Sequence, residues 1–185
     1  MKRLFCVILI VFLVLLVTVA VFASDEPNEE LQKHSFGVGL GISYGNGLGI
    51  NVNNNIAPNL DFTGSLGYNL FTDFGYEVGL KYYLAPVDQR FRPKVFILYG
   101  SNSFAYEKDN EGSSIPTIKS KNYQGITLGI GGVVYWKKSH ANGGLDFDIT
   151  YIASSDIDKE EMNAQGYDIY GPGTFDISIG YRWDF

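Results

Sequence analysis

Cysteine is nearly absent from this chain of 185 residues: Cys6 is the one present, and it stands inside an apolar run. A disulfide framework and a cysteine-based metal site are thereby excluded. Histidine is almost as scarce, with His34 and His140 alone. A nucleophile–base pair needs both side chains in hydrogen-bond reach, with a third group to orient the base. His140 stands beside Ser139 in a turn and no orienting carboxylate is evident, so no catalytic residues are assigned and an enzyme is not expected. Charge is sparse too, at 18% against a usual share of about 25%. Basic charge is in deficit, 14 Lys and Arg against 20 Asp and Glu, a net −6. Without a basic footprint, nucleic acid is not the partner. Strong helix formers are few after residue 35, which argues against a bundle, and no Gly-rich stretch leads into a helix, which removes a phosphate loop. No cofactor is implied.

What is present begins with an export pattern. Lys2 and Arg3 precede an apolar stretch over 4–23, and the polar sequence SDEPNEELQK follows it. A basic start, an apolar core and small residues before a polar segment make a secretory signal peptide over 1–23, with cleavage after Ala23. The run of about twenty residues is also long enough to remain as an anchor. Residues 24–34 then read as a short periplasmic tail, and 35–185 as the domain.

From Ser35 onward the apolar period is two. Phe36, Val38, Leu40, Ile42 and Tyr44 alternate with glycine and serine, and Asn46-Gly47 signals a tight turn. Leu48, Ile50 and Val52 carry a second strand that is expected to break at the asparagines of 53–55 and at Pro58. Leu60 to Asn69 and Phe74 to Leu84 alternate cleanly. A turn rich in Pro and Arg over 85–93 leads to a fifth strand over 94–105, and a polar loop over 107–122 follows. Further strands run through Ile126–Trp136, Leu145–Tyr151 and Phe175–Phe185, with an acidic loop over 154–173 between the last two. Eight strands let an antiparallel up-and-down sheet close and abolish its edges.

Alternation alone leaves open which face is outside. With the apolar face inward, some thirty large groups would crowd an interior that has room for one filling, as in a soluble periplasmic ligand-binding barrel. With it outward, small and polar residues fill the lumen, and an apolar band meets lipid. Tyr44, Tyr68, Tyr82, Trp136, Tyr151 and Trp183 fall near strand ends, where interfacial aromatics sit. The expected fold is therefore all-β, a closed antiparallel eight-stranded transmembrane β-barrel.

The sequences GLKYYLAP (79–86) and RPKVFILYG (92–100), and the ending FDISIGYRWDF, resemble the eight-stranded outer-membrane β-barrel family of the OmpA/OmpX type. The resemblance covers 35–185. It implies a C-terminal assembly signal in Ile177, Ile179, Tyr181, Trp183 and Phe185, read by the barrel-assembly machinery. It also implies a monomer among outer-membrane lipids, with both termini periplasmic. Loops at Asn46, 71–73, 107–122 and 154–173 would then face outward. The basic turns, one with Arg90, Arg92 and Lys94 and the other with Lys137 and Lys138, would face the periplasm.

The candidate site is a lumen charge network of Asp61, Glu77, Lys81, Asp146, Asp148 and Arg182, leaning negative. Buried charges must pair, so a packed polar lumen with a structural or surface-interaction role is expected. The alternative is a narrow porin-like channel for small cations or solutes. Asp156-x-Asp158-x-Glu160 faintly resembles a calcium loop, but Glu161 stands where a glycine is required. A solvated acidic loop is expected instead, with no metal.

Overall fold

The computed structural model describes residues 34–69, 73–86, 89–107, 120–136 and 143–184. The expected signal peptide and tail, together with Lys137, Lys138, His140 and Phe185, lie outside the described residues apart from His34. Among the described residues there are nine strands: β1 His34–Gly41, β2 Gly47–Ala57, β3 Leu60–Asn69, β4 Asp73–Tyr83, β5 Phe91–Glu107, β6 Ser120–Tyr135, β7 Gly144–Ile152, β8 Tyr167–Tyr170 and β9 Phe175–Asp184. One short helix, α1, spans Lys159–Ala164.

Eight of the strands form the ring β1-β2-β3-β4-β5-β6-β7-β9, antiparallel throughout, and β9 returns to β1 to close it. Strand β8 stands outside the ring. It pairs with β5 at Phe104–Glu107, beyond Gly100, the last β5 residue in register with β4.

The period-two pattern decides the faces, and it does so inside-out relative to a water-soluble barrel. Leu48, Leu66, Ile130 and Ile177 are 64, 60, 60 and 73% exposed on the outer surface. Asp61, Glu77, Lys81, Lys94, Asp146, Asp148 and Arg182 are all buried inside. Outward residues Phe175 to Trp183 span eight steps of about 3.3 Å, hence about 20 Å along the barrel axis at a tilt of about 40°, close to the ~25 Å apolar band of such barrels. No helix among the described residues is long and apolar enough to cross a membrane, which says nothing of crossing by strands.

Three local expectations need correction. The first strand does not continue to Tyr44. It ends at Gly41, and Ile42–Tyr44 form a 3-10 turn whose three residues are buried. Gly41 pairs Gly47 in register, so Asn46-Gly47 closes a five-residue turn and not a two-residue hairpin. Gly41 and Gly45 adopt φ of 111° and 75°, a region that only glycine enters freely, and this turns the chain inward.

The asparagines of 53–55 do not break β2 either. Asn51 and Asn53 face the lumen, and the Asn53 amide donates to Ser35 Oγ (3.0 Å) and Asn51 Oδ1 (3.1 Å). Inside a polar barrel an asparagine finds side-chain partners and loses its reason to form a turn. The turn comes at Pro58-Asn59, where Asn59 has φ 60°.

The acidic loop over 154–173 is largely ordered. Ala105 and Tyr123 of the long β5–β6 hairpin form a small cluster with Ile157, against which Met162, Tyr167 and Ile169 pack. Asp158 caps α1 by accepting from the N–H groups of Glu160 and Glu161 (3.0 and 3.1 Å). Asp156 accepts from the Gln124 N–H at 2.7 Å. The two aspartates of the calcium-like motif are therefore spent on the fold. Among the described residues no group of three or more His, Cys, Asp or Glu is placed to hold a metal ion.

Candidate functional site

The lumen is filled in three levels. At the end where β1 begins and β9 ends, Tyr83 is fully buried with two guanidinium groups against its ring. Arg92 lies over its ring at 4.1 Å and Arg182 at 5.3 Å. Arg182 also donates to the Tyr83 hydroxyl, to Asp184 (2.5 Å) and to Asp61 (3.4 Å). Val133 and Tyr135 of β6 pack against Tyr83. Guanidinium stacking on an aromatic face combined with charge-assisted hydrogen bonds makes a desolvated stopper built from wall side chains.

At mid-height Lys94 Nζ lies 2.5 Å from Asp146 and 3.0 Å from Asp148. Phe96 packs beside it, with Lys94 Nζ 5.7 Å from the ring centroid. Gly129 is what makes space for that ring, since a Cβ there would strike it. Glu77 and Lys81 lie on the inner face of β4. Ser65 Oγ donates to Glu77 Oε2 at 3.4 Å, whereas Lys81 Nζ has no hydrogen-bond partner in the protein.

The third level, at the loop end, is the turn over 42–46. The Tyr44 side chain enters the lumen and is 1% exposed. A Cβ added at Gly37, Gly39 or Gly180 would meet the Tyr44 ring, and one at Gly49, Gly67 or Gly75 would meet the backbone of Tyr44 or Gly45. The inward glycines form a cradle shaped to the inserted turn.

Every residue expected in the lumen network is thus inside, but the network is larger than the sequence indicates. Lys94 and Arg92 do not belong to a periplasmic turn. They are buried at 1 and 3% exposure, and Asp184 joins them at 4%. The expected negative lean narrows but stays, because four buried cations (Lys81, Arg92, Lys94, Arg182) face five carboxylates (Asp61, Glu77, Asp146, Asp148, Asp184). The inward partners of Lys94 along β5 are Phe96 and Leu98, so the period-two pattern there is apolar on both faces and hides the lysine. Its signal is the acid excess on the other inward faces, which requires cations.

Tyr44 is also corrected: it is a lumen residue and not an interfacial one. Tyr68, Trp136, Tyr151 and Trp183 are exposed on the outside at 45, 56, 38 and 43%, and Tyr82 is half-buried. Ile177 and Ile179 also face outward, with Tyr181 stacked edge-on to Trp183 at 4.5 Å.

No protein-family model matches the chain, and no curated protein matches it in sequence. Among solved structures it is similar to the N-terminal β-barrel domain of OprF from Pseudomonas aeruginosa, at 10% identity and a TM-score of 0.48, over 82% of this chain and 95% of that one.

Proposed function

We propose that this chain is a monomeric integral outer-membrane β-barrel with a closed lumen, serving a structural and surface-presenting role. The observation that carries this reading is the reversal of faces: an outer surface of Leu, Ile, Val, Phe and Tyr around an interior of buried charges, most of them paired. In water such a surface would be an aggregation liability, while in lipid it is the solvated face. Closure of the sheet supports it as well, since a spanning sheet must leave no backbone edge unpaired. A soluble ligand carrier would need an apolar or open interior, and this one is charged and full. The ordered platform of β5, β6, β8 and α1 stands at the loop end, which the proposal places on the cell exterior.

Gel migration of protein from fractionated outer membranes, with and without boiling, tests the reading. A closed barrel survives cold detergent, so an unboiled band that shifts, in the outer-membrane fraction, is the expected result. An unshifted band in the soluble fraction would sink it.

A further inference from the structure

The two ends of the lumen are shut by different means, and one of them is separable from the wall. At the end where β1 begins and β9 ends, the obstruction consists of β4, β5 and β9 side chains, which cannot leave without the strands. At the loop end it is the turn over 42–46, whose backbone hangs from side chains. The Ile42 N–H donates to Asp176 Oδ2 (3.1 Å) and the Ser43 N–H to Ser178 Oγ (3.1 Å). The Asn51 amide donates to the Ser43 carbonyl (3.5 Å) and the Asn69 amide to the Asn46 carbonyl (2.8 Å). None of these is a ladder bond, so the turn can swing out on Gly41 and Gly45 without unpairing a strand.

The wall behind it cannot collapse into the space, because glycines 37, 39, 67 and 180 have no side chains with which to do so. Beneath the turn Lys81 Nζ is buried with no hydrogen-bond partner, and the Glu77 carboxylate, whose charge faces it, is in hydrogen-bond contact with the Gly45 backbone of the turn itself. An ammonium without an acceptor, beside a carboxylate that loses its Gly45 contact when the cover leaves, makes a floor that a small polar molecule would satisfy.

We infer that residues 42–46 are a withdrawable plug over a glycine-walled vestibule. It opens on the loop side only, its floor of Glu77 and Lys81 takes small polar solutes, and the Tyr83–arginine stack keeps the other end shut. The inference rests on the outer-membrane reading. It adds a solute site to a barrel otherwise read as closed, and it makes that site a dead end, not a through-channel. Asp176 connects the plug to the platform. Its carboxylate accepts from Ile42 and stands beside the Tyr170 hydroxyl of β8, which burial and that carboxylate hold above the usual phenol range.

Thiol labelling of the full chain in lipid vesicles tests this, with Cys6→Ala as background. Ser65→Cys lies under the plug, in register with Asn51 and Glu77. Ser35→Cys lies toward the stopper, in register with Asp184. The probe is a small cationic methanethiosulfonate, and each variant is first checked for the heat-dependent gel shift. The expected result is slow but complete labelling at position 65, accelerated about tenfold or more by Tyr44→Gly, the factor that follows from truncating a buried aromatic. Position 35 is expected to stay protected in both backgrounds. No labelling at 65 until the protein is boiled would make the turn permanent packing and overturn the proposal, as would a rate indifferent to Tyr44→Gly. Labelling at 35 in the Tyr44→Gly background would make the lumen a through-channel and overturn the dead end. Loss of the gel shift in the starting protein is a separate failure, that of the membrane reading itself.

Discussion

Tyr44 and Tyr83 are equally well buried at opposite ends of one lumen, yet they are held there by different physics. Tyr83 belongs to the wall and is gripped by charge: two arginines over its faces, with Asp61 and Asp184 around Arg182. Tyr44 belongs to a turn and is held chiefly by shape, against glycines whose missing side chains are its socket, with its hydroxyl directed at Asp146. A charged stopper resists substitution because each loss leaves a buried partner unpaired. A steric plug tolerates the loss of its own side chain, but not the filling of its socket. The comparison is open to measurement at both ends.

The largest effect is expected at the charged end. Arg182→Ala would strand Asp61, Asp184 and the Tyr83 hydroxyl in a desolvated interior and cost about 3–5 kcal/mol, the range for breaking a buried ion pair from one side. Urea unfolding in lipid vesicles reads it. A loss below about 1 kcal/mol would mean that water reaches the stopper and screens it as on a surface. Ile149→Arg supplies a reference belonging to neither end. Ile149 is 49% exposed on the outer face of β7, and an arginine near the bilayer midplane there should cost about 2–4 kcal/mol and impair assembly. Unimpaired assembly would place that face in water.

At the plug end the effect is smaller and should be reversible. Gly180→Ala puts a methyl group against the Tyr44 ring, with the Val38 carbonyl close behind, and overpacking of this kind costs about 1–3 kcal/mol. If the ring is the obstacle, adding Tyr44→Gly should return most of that loss, a coupling that a double-mutant cycle measures. Additive effects would show that the strand backbone, and not the plug, feels the methyl group.

Much of the barrel was legible in the sequence because alternation is a local signal. Leu66 and Ile177 read as one face, and Asp61 and Asp148 as the other, from their neighbours alone, and the crowding of an apolar interior then sends the first face outward. The plug was not legible, for a physical reason. Ile42 and Tyr44 continue the period-two pattern of Phe36, Val38 and Leu40, and only the positive φ of Gly41 and Gly45 turns them inside. A glycine-rich strand offers the same letters whether its glycines thin a sheet or make room for a turn. Lys94 was hidden by another ambiguity, an inner face shared with Phe96 and Leu98, and its partners Asp146 and Asp148 come from a strand some fifty residues later. Platform strand β8 is four residues long and pairs only with the far end of β5, a contact no local pattern encodes. The acidic composition of 154–173 reads as a solvated loop because its apolar residues, Ile157, Met162 and Ile169, are too widely spaced to show a period.

The finest distinction between the two ends lies in single hydrogen bonds of similar kind. The Asn69 amide donates to Asn46 O at 2.8 Å at the plug, and the Asn55 amide donates to Asp61 Oδ1 at 3.2 Å near the stopper. Each is worth about 0.5–1.5 kcal/mol. If the plug opens independently of the barrel, Asn69→Ala should leave the urea midpoint nearly unchanged. It should raise the labelling rate at Ser65→Cys by about threefold to tenfold, because the lost bond is charged to the local opening and not to global unfolding. Asn55→Ala should do the opposite, lowering the midpoint without changing the labelling rate, since its partner Asp61 sits in the network that only global unfolding breaks. Equal effects of the two variants on both readouts would make the lumen one cooperative unit, with Tyr44 as fixed a part of it as Tyr83.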